Sequence, residues 1–261
     1  MKSLDKTKRI VSLTDGSQCF FNETLPIING EKINVEDMAA TKDINEVDLL
    51  CNLKNRLNTD QTFTNVGPTL IIVNPFKTIE GVYGPEKIDY FLEKHEKENP
   101  ILREKITEPH LYDVVLIAIE EILKKNCRNQ AIIVSGESGA GKTVATKNSM
   151  QCITYYFSKL KKKKESRESV IYTGKLDNMV IKDQNPLEKK ILDCNPILEG
   201  FGSAKTVRND NSSRFGKYVK IKINKQSNLI EGAQMYTYLL EKSRISELGP
   251  LERNYHIFYF F

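Results

Sequence analysis

The sequence predicts an α/β fold, a mixed β-sheet flanked by helices, and three features of its patterning carry that prediction. Two short apolar runs, Leu70–Val73 and 131–134, stop abruptly at an Asn-Pro pair and a glycine-rich turn, as buried strands do. Other stretches carry apolar residues at helical spacing. The clearest is 111–125, with Leu111, Val114, Val115, Ala118, Ile119 and Ile122 on one face. Near the end, Val219, Ile221 and Ile223 alternate with Lys220, Lys222 and Asn224, the period of a half-buried strand.

Taken in order, residues 1–35 are polar and weakly patterned, with Ile27-Ile28-Asn29-Gly30 as a short hairpin edge, and a second region spans 36–261. Residues 36–57 carry apolar side chains at roughly helical spacing. Residues 70–73 read as a buried strand, 85–98 as an amphipathic helix, and 131–134 as a second buried strand leading through glycines into a helix over 142–157. The lysine run after it reads as a mobile surface loop. Residues 187–201 read as mostly helical, 219–223 and 229–240 as paired strands around the turn 226–228, and 252–261 as the start of a further helix.

Composition narrows the function classes. At 261 residues, with 39% hydrophobic and 28% charged side chains, the chain has the make-up of a globular protein rather than a disordered or fibrous one. Its longest strongly apolar run, 114–119, falls far short of the roughly 20 residues a bilayer-crossing helix needs. Met1–Asp5 lacks the apolar core of a secretory signal, and the five widely spaced cysteines form no CxxC, so reduced thiols in a cytoplasmic protein are expected. None of the three histidines pairs at metal-ligand spacing, which argues against zinc. Of the net charge of +5, the segment 159–168 (KLKKKKESRE) holds six basic and two acidic residues, a local +4. The excess is local, so no broad surface for nucleic acid is implied.

Gly136-Glu137-Ser138-Gly139-Ala140-Gly141-Lys142-Thr143 fits G-x-x-x-x-G-K-[ST], with a predicted strand before it and a helix after. Glycines allow successive backbone N–H groups to face inward around a phosphate, and the helix end adds its free N–H groups and positive dipole. Lys142 would reach the β- and γ-phosphates, and the Thr143 hydroxyl would ligate Mg²⁺. The motif points to a nucleoside triphosphate without naming the base or the work done. Its competitor is a glycine-rich turn that binds nothing. About seventy residues on, 208–217 (RNDNSSRFGK) is dense in hydroxyls, amides and arginines directly before a strand. It is either a loop lying over a γ-phosphate or a solvated polar turn.

Here the sequence resembles the myosin motor head. GESGAGKT at 136–143 and NDNSSRFGKY at 209–218 look like its P-loop and switch I, and NPFK at 74–77, NPILEGFGSAKT at 195–206, YLLEKSR at 238–244 and ERNYHIFY at 252–259 agree in order and spacing. The resemblance covers roughly 36–261. It implies a P-loop NTPase-type fold, Mg-ATP as ligand, ATPase activity, and actin filaments as partner of a cytoskeleton-associated motor, with light chains only on a longer product. It implies Ser213 as a second Mg²⁺ ligand beside Thr143, Ser212 and Asn209 at the phosphates with Ser212 near the attacking water, and Arg214 paired to a glutamate of switch II. Asn74, Pro75 and Tyr83 are implied to line the adenine side.

Some positions depart from the family's pattern. Thr78 stands where an arginine is usual, Tyr83 lies one residue farther from Asn74, and Val144 replaces a common glutamate at a position expected to face away from the phosphates. The family's Asp-x-x-Gly-x-Glu does not occur, and seventeen residues follow Arg244. The expectation is therefore the N-terminal portion of a motor head, with Arg214 unpartnered and apolar faces exposed. Alternatives are a non-catalytic nucleotide-binding module, a truncated product, and a kinesin-type motor, whose switch I usually continues with Ser-His where Phe215-Gly216-Lys217 stands. His256 and Cys194 read as packing residues.

Overall fold

The structure, a computed structural model, describes residues 9–12, 18–21, 34–41, 45–97, 108–124, 128–173 and 186–260. It divides into two compact units, Met1–Pro75 and Phe76–Phe261.

The first unit contains the antiparallel pair β1 (Arg9–Ser12) and β2 (Gln18–Phe21), the helix α1 (Glu46–Asn58), and a hairpin of β3 (Phe63–Val66) and β4 (Thr69–Ile72). Helix α1 begins where Asn45 Oδ1 accepts the Asp48 N–H at 2.9 Å, and Glu46 and Asp48 add negative charge to the first turn. Asn52 is fully buried. Its amide accepts from Val35 N at 2.8 Å and donates to Val35 O at 3.0 Å, tying the extended segment to the helix. Buried Arg56 donates twice to the Phe63 carbonyl, at 3.2 and 2.9 Å, and so fixes the start of β3. The run at 70–73 is a strand, as expected, but half-buried on one hairpin rather than enclosed in a sheet.

The second unit is built on three helices: α2 (Pro85–Lys97), α3 (Leu111–Leu123) and α4 (Lys142–Thr173). Their facing residues Ile88, Phe91, Tyr112, Val115, Leu116, Ile119, Cys152 and Phe157 form the core, joined by Ile230. After α5 (Pro186–Gly202) come β5 (Ser203–Thr206) paired with β6 (Asn209–Ser213), then the hairpin β7 (Gly216–Asn224) and β8 (Leu229–Tyr238). The alternation in β7 is realised. Val219, Ile221 and Ile223 turn inward while Lys220 and Lys222 are exposed. Two 3-10 turns, Lys242–Ile245 and His256–Tyr259, follow.

Six expectations are corrected. All strand pairs among the described residues are two-stranded and antiparallel, and no single mixed sheet appears. Residues 131–134 form no ladder, and Ile133 is 88% exposed. An apolar run becomes a central strand only when neighbours supply its hydrogen bonds, and no described strand pairs with this one. The lysine run is helical rather than a loop, because α4 runs through it to Thr173. Lys, Glu and Arg are good helix formers and no glycine or proline interrupts them. Residues 209–213 form a strand instead of a loop. Of the expected helix at 252–261, the described residues to 260 give only the 3-10 turn, and Cys194 is exposed rather than packed. The hairpin edge expected at 27–30 lies outside the described residues. Exposed apolar surface is present as expected, with Leu239 and Leu251 each 83% exposed.

His110 caps α3. Its Nδ1 accepts the Tyr112 N–H at 3.0 Å and its Nε2 donates to the Val82 carbonyl at 2.9 Å, which fixes the neutral tautomer. Burial is the main cause that pushes this imidazole from its ordinary 6.5 down to about 4. A neutral buried histidine takes up its proton only when unfolded, so stability should fall as pH drops from 6.5 towards 4. His110→Asn, which retains a cap acceptor and does not titrate, should flatten that slope in urea melts. Phe91→Ala should destabilise by about 3–5 kcal/mol in the same assay, since its ring is wholly enclosed.

Candidate phosphate-binding site

The loop 136–141 turns on three glycines with positive φ: Gly136 at 154°, Gly139 at 84° and Gly141 at 93°. L-side chains rarely adopt these angles, so the sequence and the backbone agree that the chain must wind tightly here. Helix α4 starts at Lys142, and its first-turn N–H groups lie at the loop. The Lys142 ammonium folds back over the loop, donating to the carbonyls of Gly136 at 2.6 Å and Glu137 at 2.7 Å. Residues 135–138 are exposed, so the loop is open on that side. Val144 is also exposed.

Strand β6 brings its serines to this loop. Ser212 Oγ lies 2.8 Å from Ser138 Oγ, and Ser213 Oγ lies 3.4 Å from Thr143 Oγ1, across 74 and 70 positions of sequence. Ser212 is buried while Ser213 is exposed. The pairing of β6 with β5 sets this presentation, through the register Ala204↔Ser212 and Ser203↔Ser213. The strand's end is seated by a close approach. The Arg214 N–H donates to the Gly202 carbonyl at 2.9 Å, and the Phe215 ring covers Gly202 so closely that a Cβ there would lie 2.4 Å from it. On the loop's other side, Arg208 Nη1 reaches Glu137 Oε2 at 3.4 Å, an exposed pair worth little on its own. Asn209 bonds within its own hairpin, exchanging hydrogen bonds with Thr206 Oγ1 and accepting the Asn211 N–H at 3.0 Å.

Arg214 is not unpartnered. Its Nε donates to Glu241 Oε2 at 2.5 Å, and its Nη1 lies 3.4 Å from Ser212 Oγ. The Arg214 hydrogen bond, then that of Arg244, holds the Glu241 carboxyl down at about 2, against an ordinary 4.5. This carboxylate therefore stays charged until pH falls through about 2. Sequence reasoning missed Glu241, although the β7–β8 register contained the signal. Gly216 pairs with Tyr238, so extending the ladder two residues places Arg214 beside the chain at 240–241. His256, read as a packing residue, is half-buried, and its Nε2 lies 3.0 Å from Asn211 Oδ1 on the same strand as the serines.

The three residues expected on the adenine side divide between the units. Asn74 and Pro75 follow β4 at the end of the first unit, where the Val73 N–H donates to the Thr62 carbonyl at 2.9 Å. Tyr83 lies in the second unit against Tyr112 and His110, with ring centroids 5.8 and 6.0 Å away. Burial, then Tyr112, pushes its hydroxyl up to about 12, so it is a neutral group at physiological pH.

Comparison with known proteins adds a further finding. Residues 35–261 match the family described as myosin head (motor domain). The chain is 41% identical over 225 residues to unconventional myosin-XV of Homo sapiens, which covers 86% of the chain and 5% of that protein. It is 38% identical over 252 residues to Myosin-1 of Arabidopsis thaliana, covering 96% of the chain and 18% of the relative. Against the Myosin IB heavy chain of Dictyostelium discoideum it is 40% identical over 228 residues, covering 87% and 18%. The chain thus spans a fifth or less of the length of these relatives. The kinesin-type alternative is set aside by the family match. With its glycine loop, its serine strand and every residue after the first 34 inside the matched region, the chain belongs to the myosin head (motor domain) family.

Proposed function

We propose that this chain forms the phosphate-gripping part of a myosin-type, actin-based motor and binds Mg-ATP. The observation that carries the reading is the meeting of two hydroxyl pairs, Ser138 with Ser212 and Thr143 with Ser213. Separate segments converge on one spot at the mouth of a helix, where backbone N–H groups favour a polyphosphate. In the whole motor the flanking pieces would form one P-loop NTPase-type sheet, with 131–134 as a strand of it and 36–261 as part of a single motor domain.

The site residues take the following roles. Gly136, Glu137, Ser138, Gly139, Ala140 and Gly141 supply a backbone ring of N–H donors for the β-phosphate. Lys142 exchanges its two loop carbonyls for the β- and γ-oxygens. Asn209 and Ser212 orient the γ-phosphate and the attacking water, and Arg214 holds Ser212 in place. Asn74, Pro75 and Tyr83 line the adenine side. The donor chemistry suits Mg²⁺. Thr143 and Ser213 offer two hard hydroxyl oxygens 3.4 Å apart, near the about 3 Å edge of an octahedron with 2.0–2.1 Å ligand distances. Thr143 and Ser213 would hold the ion, which would supply positive charge against the phosphates. Catalysis in such a site is positioning and charge stabilisation, with no covalent chemistry asked of the protein.

As parts of the whole protein, actin filaments are the proposed partner, light chains would join only a longer product, and a cytoplasmic, cytoskeleton-associated location follows. No described helix is long and apolar enough to cross a membrane. A non-catalytic nucleotide-binding module is the second reading, favoured by the unpaired, exposed run at 131–134.

Mg-ADP at a hundredfold excess over its Kd should stabilise the chain by about 2.7 kcal/mol in thermal melts. Lys142→Ala should abolish that shift, and a folded wild-type sample that shows none contradicts nucleotide binding. Thr143→Ala and Ser213→Ala should each leave the metal-free nucleotide affinity little changed. Both should raise the Mg²⁺ concentration needed for the full shift, as read by magnesium titration.

A further inference from the structure

Glu241 is held from several sides at once. Its N–H donates to the Arg214 carbonyl at 3.0 Å, and its own carbonyl accepts the Tyr255 hydroxyl at 2.6 Å. Tyr255 is buried and bridges to Ala204 on β5, the strand that pairs with the serine strand. The Glu241 side chain receives Arg214 Nε at 2.5 Å and Arg244 Nε at 2.7 Å on the same oxygen. Arg244 is itself buried and also bonded to Glu252 Oε2 at 3.0 Å. A carboxylate seated on a buried guanidinium that also binds Glu252 and the Arg253 carbonyl has few other places to go. Arg214, a long side chain with much rotamer freedom, acquires one position from it.

That position matters because Arg214 Nη1 is 3.4 Å from Ser212 Oγ, which pairs with Ser138 of the phosphate loop. An unbroken line of contacts therefore runs from buried Arg244 through Glu241, Arg214 and Ser212 to the loop. We infer that Glu241 is a positioning residue, the anchor that fixes Arg214 and through it holds the serine strand against the phosphate loop. The inference rests on the nucleotide-site reading above and adds to it a residue that touches neither phosphate nor metal.

Charge and position predict opposite effects, which makes the inference testable. Removing a negative charge near an anion site strengthens attraction for the anion through space. Loosening the serine strand weakens the grip. The test is stopped-flow release of a fluorescent ADP analogue, with Mg²⁺, from the full chain. Glu241→Gln should release nucleotide faster, on the order of tenfold, within the range seen for coupled side chains. Arg214→Met should do the same, and the double variant should be no faster than either single one. Glu241→Asp should recover part of the loss. Unliganded melts report whether each variant is folded, and if Glu241→Gln is not, the Glu241→Asp and Arg214→Met comparison decides alone. Unchanged or slower release from folded Glu241→Gln, or additive effects in the double variant, would overturn the inference. A wild-type chain that binds no analogue would overturn the nucleotide-site reading and this inference with it. Binding by wild type with unaltered release from both singles would overturn this inference only.

Discussion

The arrangement depends on one constraint: a five-residue strand must present two consecutive serines to a loop and helix start about seventy positions earlier in the chain. Hydroxyl contacts of 2.8 and 3.4 Å are individually weak and could not draw the segments together. Their placement is fixed from behind. The β5–β6 register sets which serine faces which way, the Gly202–Phe215 contact seats the strand's end, and the Arg214–Glu241–Arg244 cluster ties it to the far end of the β7–β8 hairpin. The phosphate loop has its own independent fixation in three positive-φ glycines and the start of α4.

The helical core explains why the loop half is well defined. Helix α4 begins at Lys142 and a few turns later buries Cys152 and Phe157 against α2 and α3. Any tilt of α4 would disturb that packing, so the loop at its mouth inherits the orientation of the core. By contrast, 131–134 has no ladder to hold it, and Ile133 faces solvent while Val134 is half-buried.

Much of this was legible in the sequence because it depends on local chemistry. Helices α2 and α3 follow from apolar spacing, β7 follows from the alternation of isoleucines and lysines, and the phosphate loop follows from glycine spacing. What failed was non-local. The apolar run at 131–134 has the composition of a buried strand, but composition cannot say whether neighbours are present to pair with it. The serine segment reads as a loop because Asn, Asp and Ser favour turns, yet pairing with β5 overrides that preference. The lysine run reads as a loop from its charge, although each of its residue types sustains a helix. Glu241 was hidden for a related reason. A carboxylate becomes an arginine's partner through strand register, and the β7–β8 register shifts at Lys222/Ile223, a bulge that the alternation of side chains does not announce.

The central claim is that the phosphate loop and the serine strand act together on one ligand. Hydrogen–deuterium exchange of the full chain, with and without Mg-ADP, tests it most directly. The account predicts slowed exchange in 136–143 and in 209–214 at the same nucleotide concentration, with little change in α2 and α3. Protection of neither segment, or of the glycine loop alone while the serine strand exchanges as before, would contradict it.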